Sequence, residues 1–131
     1  VESGKKELKP FTSNVYIHTD HYKGKDGGLS PGFGLVLVAE STTGALYSTE
    51  AIAKGGELPE SVGETAVKQL LEEIYKGGFV DTCTQSLCLL YMLLCPEDVS
   101  KIRLGPLSDY TIQYLRHLRD FFGTKFKITE E

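Results

Sequence analysis

The sequence has 131 residues, of which 40% are hydrophobic and 24% are charged, and its formal net charge is −4. This size and composition are typical of one globular domain with a hydrophobic core. The negative charge excludes a domain that binds nucleic acid through its overall charge, because such domains are usually basic. Contact with RNA would therefore need a local basic patch or a partner.

Three cysteines, Cys83, Cys88 and Cys95, lie close together in an apolar stretch. Their odd number and the lack of a CxxC pattern argue against a disulfide framework and a zinc site. We predict buried thiols in one helix and a reducing, intracellular compartment. The start of the sequence has no signal-peptide pattern, and the longest apolar run is about half of a membrane span. We expect no membrane partner, and we expect a fragment of a longer protein, since the sequence lacks an initiator methionine.

The first half of the chain is predicted to contain a connector and three strands. Residues 1–13 are polar and are interpreted as a connector from a preceding element. Residues 15–17 have the β-branched and aromatic side chains of a short strand. After a glycine-rich loop, residues 33–40 form a strand whose run of four apolar residues predicts burial on both faces. A turn at residues 42–44 joins it to an antiparallel strand at residues 45–51.

Two helices follow in the prediction. Ser61 and Glu64 have the spacing of a capping box, and apolar residues recur behind them at helical spacing until Gly77-Gly78 ends the helix. The second helix begins near Asp81 or Thr82 and ends at Pro96. It is apolar on nearly every side, which predicts that other elements bury it.

The last part of the chain is predicted to be strand, helix and strand. Residues 101–104 form a strand, and residues 125–128 form the last one. Between them lies an amphipathic helix at residues 109–122, with Leu115, Leu118 and Phe122 facing inward and Gly123 ending it. The order β-β-β-α-α-β-α-β predicts an α+β fold, a sheet with helices packed on one face.

Four segments of the sequence carry a resemblance to a known family. They are SPGFGL at residues 30–35, VAESTTG at 38–44, QLLEEI at 69–74 and YLRHLR at 114–119. In this order they resemble the RNA 3′-terminal phosphate cyclase family, and its nucleolar branch without cyclase activity. The resemblance implies that residues 14–131 are the third repeat unit of the family's large domain. It also implies that the first two units and the small insert domain are absent from this chain.

The resemblance implies a function as well. It points to a ribosome biogenesis factor of the nucleus and nucleolus that acts in small-subunit (18S) pre-rRNA processing. The protein would be a non-cyclase scaffold in the pre-ribosomal processing complex, the small-subunit processome, and would bind a ribosome-assembly GTPase and also RNA. No cofactor is expected. The alternative is a pre-rRNA endoribonuclease, and an active RNA 3′-phosphate cyclase is the least favoured interpretation.

Whether the chain can carry out cyclase chemistry depends on the residues at the start of the last helix. In the family's true cyclases, a histidine there takes the adenylate from ATP, within a pattern of His, two residues, Thr and Asn. We place Tyr110 at that position, and residues 111–114 keep neither of the other pattern residues. A phenol ordinarily has a pKa of about 10 and is a poor substitute for an imidazole, which can be neutral and nucleophilic at pH 7. The resemblance therefore implies a pseudoenzyme.

A basic group on the same helix is the candidate for RNA contact or cleavage. Arg116 and Arg119 could hold phosphate oxygens, and His117 could act as a general base towards a ribose 2′-hydroxyl. The simpler alternative is a solvated helix face, because cations are favoured near a helix C-terminus. RNA contact without cleavage is a third interpretation.

Two further groups of candidate residues lie in the first half of the chain. Lys23 and Lys25, in the glycine-rich loop, could contact an RNA phosphate, although tight turns explain the glycines better. His18, Asp20 and His21 resemble metal ligands. On a strand, however, side chains 18 and 20 point one way and side chain 21 the other. We therefore predict no metal site.

Overall fold

The computed structural model describes residues 2–12, 14–96 and 99–130. Helices α1 (Glu2–Leu8), α2 (Pro59–Lys76), α3 (Gln85–Leu94) and α4 (Asp109–Phe122) accompany strands β1 (Gly34–Glu40) and β2 (Leu46–Ile52). A short 3₁₀ helix spans Gly24–Gly27. The predicted α+β class is confirmed. In these described residues, no helix is long and apolar enough to cross a membrane.

The chain divides into two compact units, which are described separately. One contains the residues up to 39 together with residues 48–72, and it holds α1, most of the hairpin and most of α2. The other contains residues 40–47 together with those from 73 onward, and it holds the hairpin turn, α3 and α4.

Strands β1 and β2 form a two-stranded antiparallel sheet. At the turn, the amide of Ser41 donates to the carbonyl of Ala45 at 2.8 Å, and the Ser41 hydroxyl accepts from the amide of Ala45 at 2.9 Å. Gly44 has a φ of 84°, a left-handed conformation that glycine adopts without strain. The predicted hairpin and its turn are therefore confirmed.

One face of the hairpin is covered and the other is open. The hydroxyl of Thr49 in β2 donates to the carbonyl of Ala66 in α2 at 3.1 Å. Val36 and Val38, which point to the other side, are exposed. The prediction that β1 is buried on both faces is therefore wrong. Alternate side chains of a strand face opposite ways, and in the described residues only one of the two faces has a helix against it.

Helix α2 begins earlier than predicted, at Pro59, since proline suits the first turn of a helix. The predicted capping box is wrong, because Ser61 lies inside the helix. Its hydroxyl donates to the Glu57 carboxylate at 3.3 Å. The buried side is made of residues such as Val62, Ala66 and Leu70. The helix ends before Gly77 and Gly78, as predicted, and both have positive φ.

Helix α3 begins at Gln85, later than predicted. The carboxylate of Asp81 accepts hydrogen bonds from the amide and the hydroxyl of Thr84, both at 2.9 Å, and so fixes the turn before the helix. The helix ends before Pro96, as predicted. Complete burial is wrong, because only the side with Gln85, Ser86 and Leu89 is buried. The helix packs against α4, and an all-apolar sequence does not reveal which side does so.

The predicted burial of the thiols is also corrected. Cys83 and Cys95 are exposed, and Cys88 is half-buried. Cys83 lies just before the first residue of α3, and Cys95 lies just after its last residue. They are therefore outside the packed part of the helix, and the spacing of the cysteines did not show this.

The predicted strands at residues 15–17, 101–104 and 125–128 are not strands. Residue 104 forms an isolated antiparallel bridge with Gly78, and Val80 forms an isolated parallel bridge with Leu46. The predicted order of elements is therefore wrong at these three places. A strand needs a hydrogen-bonded neighbour, and the side-chain pattern of one segment does not provide it.

Candidate functional site

The start of α4 is fixed by a helix cap. Ser108 has an extended backbone, and its hydroxyl accepts a hydrogen bond from the amide of Thr111 at 3.1 Å. This is the arrangement that satisfies a free amide in the first turn of a helix. At the other end, Gly123 has a φ of 68° and its amide donates to the carbonyl of Arg119 at 2.8 Å. The predicted bounds of this helix are confirmed. Of the three side chains predicted to face inward, Leu118 is buried and Leu115 half-buried, but Phe122 is 51% exposed, so that part of the prediction is wrong.

A buried polar network joins this helix start to α3. Gln85 and Thr111 are 1% and 0% exposed. The hydroxyl of Thr111 donates to Gln85 Oε1 at 3.0 Å and also hydrogen-bonds with the Ser108 hydroxyl at 2.9 Å. Gln85 Nε2 donates to the carbonyl of Pro106 at 3.1 Å. The network therefore holds the loop before α4 and its first turn on the first turn of α3.

This network is not among the features predicted from the sequence. The signal for it was a serine three residues before a threonine, together with a glutamine that leads an apolar helix. An isolated amide at that position is compatible with exposure as well as with burial. The pairing of Gln85 with Thr111 joins residues 26 positions apart, and only the packing of α3 on α4 brings them together.

Tyr110 lies in the first turn of α4 and is 66% exposed. Its ring stacks on that of Tyr114, with centroids 6.0 Å apart and an interplanar angle of 15°. The neighbouring hydroxyl of Thr111 is committed to Gln85 and Ser108. His117 lies seven residues later, about 10 Å along the axis. The first turn therefore presents a phenol and no imidazole.

The helix does not bring the three basic residues of the sequence analysis to one point. All three are exposed. An α-helix turns by about 100° per residue, so Arg116 and Arg119 share one side. His117 and Arg119 are two residues apart and point in nearly opposite directions. The Nε and Nη2 atoms of Arg119 both donate to Asp120 Oδ1, at 3.0 and 2.9 Å.

The two lysines of the glycine-rich loop are exposed at the 3₁₀ helix, in the other compact unit. Lys23 precedes the helix and Lys25 lies within it. Nearby, the carboxylate of Asp20 accepts from the amide of His21 at 2.9 Å and from the hydroxyl of Tyr22 at 3.0 Å. Within the parts of the chain that the structure describes, no group of three or more His, Cys, Asp or Glu side chains could hold a metal ion.

A carboxylate links the end of α2 to the turn before α3. Glu73 accepts hydrogen bonds from the amide and the hydroxyl of Thr82, both at 2.7 Å, and forms an ion pair with Lys76 at 2.6 Å. Burial by itself raises the pKa of Glu73. The hydrogen bonds from Lys76 and Thr82 together outweigh it, so the pKa lies below the ordinary value of 4.5. The charged form of Glu73 is therefore the one that the fold stabilises.

Comparison with known proteins gives one family and a set of similar sequences. Residues 1–75 match the family model of the RNA 3′-terminal phosphate cyclase (RTC) insert domain. The chain is 51% identical over 133 residues to the RNA 3′-terminal phosphate cyclase-like protein of Homo sapiens, which covers 98% of this chain and 36% of that protein. A probable RNA 3′-terminal phosphate cyclase-like protein of Dictyostelium discoideum is 49% identical over 143 residues, covering 98% of this chain and 38% of that protein.

A third relative has a name that states a process. The rRNA processing protein rcl1 of Schizosaccharomyces pombe is 40% identical over 132 residues, covering 99% of this chain and 36% of that protein. The chain thus spans little more than a third of the length of these relatives. The insert-domain match covers a part of the chain where no insert domain was expected. The assignment of residues 14–131 to the third repeat unit stays a prediction.

Proposed function

Because the chain belongs to the RNA 3′-terminal phosphate cyclase family, we propose that it is part of a non-cyclase member that acts in rRNA processing. Its step is the maturation of small-subunit (18S) pre-rRNA in the nucleolus. There the protein is a scaffold of the pre-ribosomal processing complex and binds a ribosome-assembly GTPase and pre-rRNA. The role in rRNA processing is supported by the S. pombe relative, whose similarity extends over 99% of this chain.

The observation that carries the non-cyclase part is the chemistry at the start of α4. Adenylate transfer needs a nucleophile at this position, and the resemblance places a histidine there in active cyclases. This chain has the exposed phenol of Tyr110, stacked on Tyr114. Thr111, the next side chain with a hydroxyl, is fully buried in hydrogen bonds. Among the described residues, neither hydroxyl is hydrogen-bonded to a histidine or a carboxylate that would activate it as a nucleophile.

The endoribonuclease alternative receives less support from the helix geometry. Metal-free cleavage of RNA would need His117 close to the 2′-hydroxyl and the guanidiniums around the same phosphate. On α4 the imidazole and the Arg119 guanidinium point to nearly opposite sides, and Arg119 is paired with Asp120. A scaffold needs no such convergence, and we therefore favour it.

A segment exchange in S. pombe tests the proposal. The part of rcl1 that aligns with this chain is replaced by the chain, and pre-rRNA intermediates are measured by hybridisation. We expect mature 18S rRNA at the level of the unmodified strain. We also expect a GTP-binding protein to co-purify with the exchanged protein, and this association should persist after RNase treatment. The matched control carries Ala66→Asp, which places a charge at a fully buried position of α2. A stable exchanged protein with accumulating 18S precursors would contradict the proposal.

A second exchange separates the scaffold from the nuclease. His117 alone is replaced by glutamine, which keeps helix propensity and removes the imidazole that metal-free cleavage would need as its base, while both guanidiniums remain. The scaffold proposal expects pre-rRNA cleavage to continue. Loss of one cleavage while the processing complex still assembles would support the nuclease instead.

A further inference from the structure

Helix α4 carries a row of aromatic side chains that the proposed function does not yet use. Tyr110, Tyr114, His117 and Phe121 follow one another at spacings of four, three and four residues. At 3.6 residues per turn these four side chains lie within an arc of about 60° and extend over roughly 16 Å of the helix. We call this set the aromatic stripe.

Three of the four side chains of the aromatic stripe are exposed to solvent, and the fourth, Tyr114, is half-buried. Tyr110 is 66% and Phe121 is 83% exposed, and His117 is exposed as well. The side of α4 that is buried is instead marked by Thr111 and Leu118. The core of this unit therefore does not account for the exposed rings of the stripe. Exposed apolar rings in a continuous row mark an interaction surface.

The charge of the surrounding segment favours a polyanion as the ligand. Residues 99–127 contain six Lys and Arg and two Asp and Glu, a net charge of +4, whereas residues 1–98 contain eight and fourteen. Lys125 and Lys127 are exposed and follow Phe121 just after the end of α4. On the helix itself, Arg116 points about 130° away from the middle of the stripe, and Arg119 points almost opposite to it. The acidic overall charge thus conceals a basic segment that has the aromatic stripe at its centre.

We propose that the aromatic stripe is a stacking surface for the bases of single-stranded RNA. This inference deepens the proposed function and rests on it, because it names the RNA surface of the scaffold. Unpaired bases stack on aromatic rings, and basic side chains nearby hold the phosphates. Such binding depends little on base sequence, since every base has a flat face to offer. A duplex keeps its bases stacked on one another and leaves the rings without a partner.

The test is the binding of the 131-residue chain to a fluorescently labelled 12-nucleotide oligouridine, measured by anisotropy at a fixed salt concentration. The double substitution Tyr110→Leu/Phe121→Leu keeps apolar side chains and removes two rings. We expect its Kd to rise at least about ten-fold, since one base–aromatic contact is worth about five-fold or more. Tyr110→Phe keeps the ring and should bind like the unsubstituted chain.

The matched control is Tyr75→Leu, which removes a tyrosine that is 93% exposed on α2. Its Kd should not change. A second measurement needs no variant: RNA containing 4-thiouridine should cross-link to a peptide within residues 109–122 after irradiation. Circular dichroism confirms that each variant is folded.

Four results would overturn the inference: no RNA binding by the unsubstituted chain, an unchanged Kd in the double variant, an equal loss in Tyr75→Leu, or cross-links only outside residues 109–122. If the stripe binds a protein instead of RNA, the unsubstituted chain should not bind the oligouridine. If binding fails while the S. pombe exchange still processes pre-rRNA, only the stacking surface is wrong. If binding holds while the exchange fails, the proposed function is wrong.

Discussion

The hydrogen bond between Gln85 and Thr111 makes a quantitative prediction about how the candidate site is held. Both side chains are buried, and their bond of 3.0 Å joins α3 to α4. Thr111→Val removes the hydroxyl and keeps the shape of the side chain. Among the residues that the structure describes, Gln85 Oε1 then retains only the amide of Ser108 as a donor, at 3.4 Å. We expect the free energy of unfolding to fall by about 1–3 kcal/mol, the usual effect of a buried polar atom that loses its partner.

Gln85→Leu acts on the other side of the same bond. It leaves the Pro106 carbonyl without the Nε2 donor, so a loss of similar size is expected. The two losses overlap, because each single substitution already breaks the bond between the two side chains. The double variant should therefore lose less than the sum of the single variants, with a coupling energy of about 1 kcal/mol.

Urea unfolding followed by circular dichroism measures all four proteins of this cycle. Thr49→Val combined with Gln85→Leu is the matched control, since the Thr49 hydroxyl donates to Ala66 and shares no hydrogen bond with Gln85. That pair should be additive to within about 0.5 kcal/mol. Additivity of the Gln85 and Thr111 substitutions would refute the network as a cooperative unit.

Three other predictions follow from single positions. A Cβ on Gly78 would lie 2.9 Å from the carbonyl carbon of Leu104, whereas one on Gly77 meets nothing within 4 Å. Both glycines have positive φ, so both alanine variants bear the left-handed strain of about 1 kcal/mol. Gly78→Ala adds the close approach to Leu104, and it should therefore lower the melting temperature well beyond Gly77→Ala. Equal losses would contradict the close approach.

The pKa of Glu73 is lowered by folding. The ionised carboxylate therefore stabilises the fold at a pH above its unfolded pKa, and this stabilisation is lost as the pH falls through its folded pKa. The unsubstituted chain should have a higher free energy of urea unfolding than Glu73→Gln, and this difference should shrink below about pH 4.5. A difference that stays constant with pH would contradict this. Burial, and then Asp81, raise the pKa of Cys88. At pH 8 it should react with a thiol reagent more slowly than the two exposed cysteines, and three equal rates would contradict this.

The last helix shows what the sequence could predict. Its bounds were predicted correctly, because a Gly-Pro turn precedes it, Gly123 stops it, and its apolar residues repeat at helical spacing. The hairpin was predicted for the same kind of reason, since its turn residues and its apolar strands lie next to each other in the chain. Both elements were predicted from residues that are close together in the sequence, and both are present in the structure.

Features that depend on distant residues were predicted poorly. The segments at 101–104 and 125–128 have strand-like composition, yet neither becomes a strand. The partner of Gln85 is 26 residues away, and nothing in the sequence around either residue identifies the other. Arg116, His117 and Arg119 are exposed, but their adjacency in sequence suggested a cluster that the turn of the helix separates.

The central claim is that this member of the family does not carry out cyclase chemistry, and labelling with ATP tests it most directly. The S. pombe protein that carries this chain is incubated with [α-³²P]ATP and Mg²⁺ beside an active cyclase of the family, and protein-bound label is measured after denaturation. We expect label on the active cyclase and none on the exchanged protein. A stable adenylate that maps to residues 109–122, and that Tyr110→Phe abolishes, would contradict the claim.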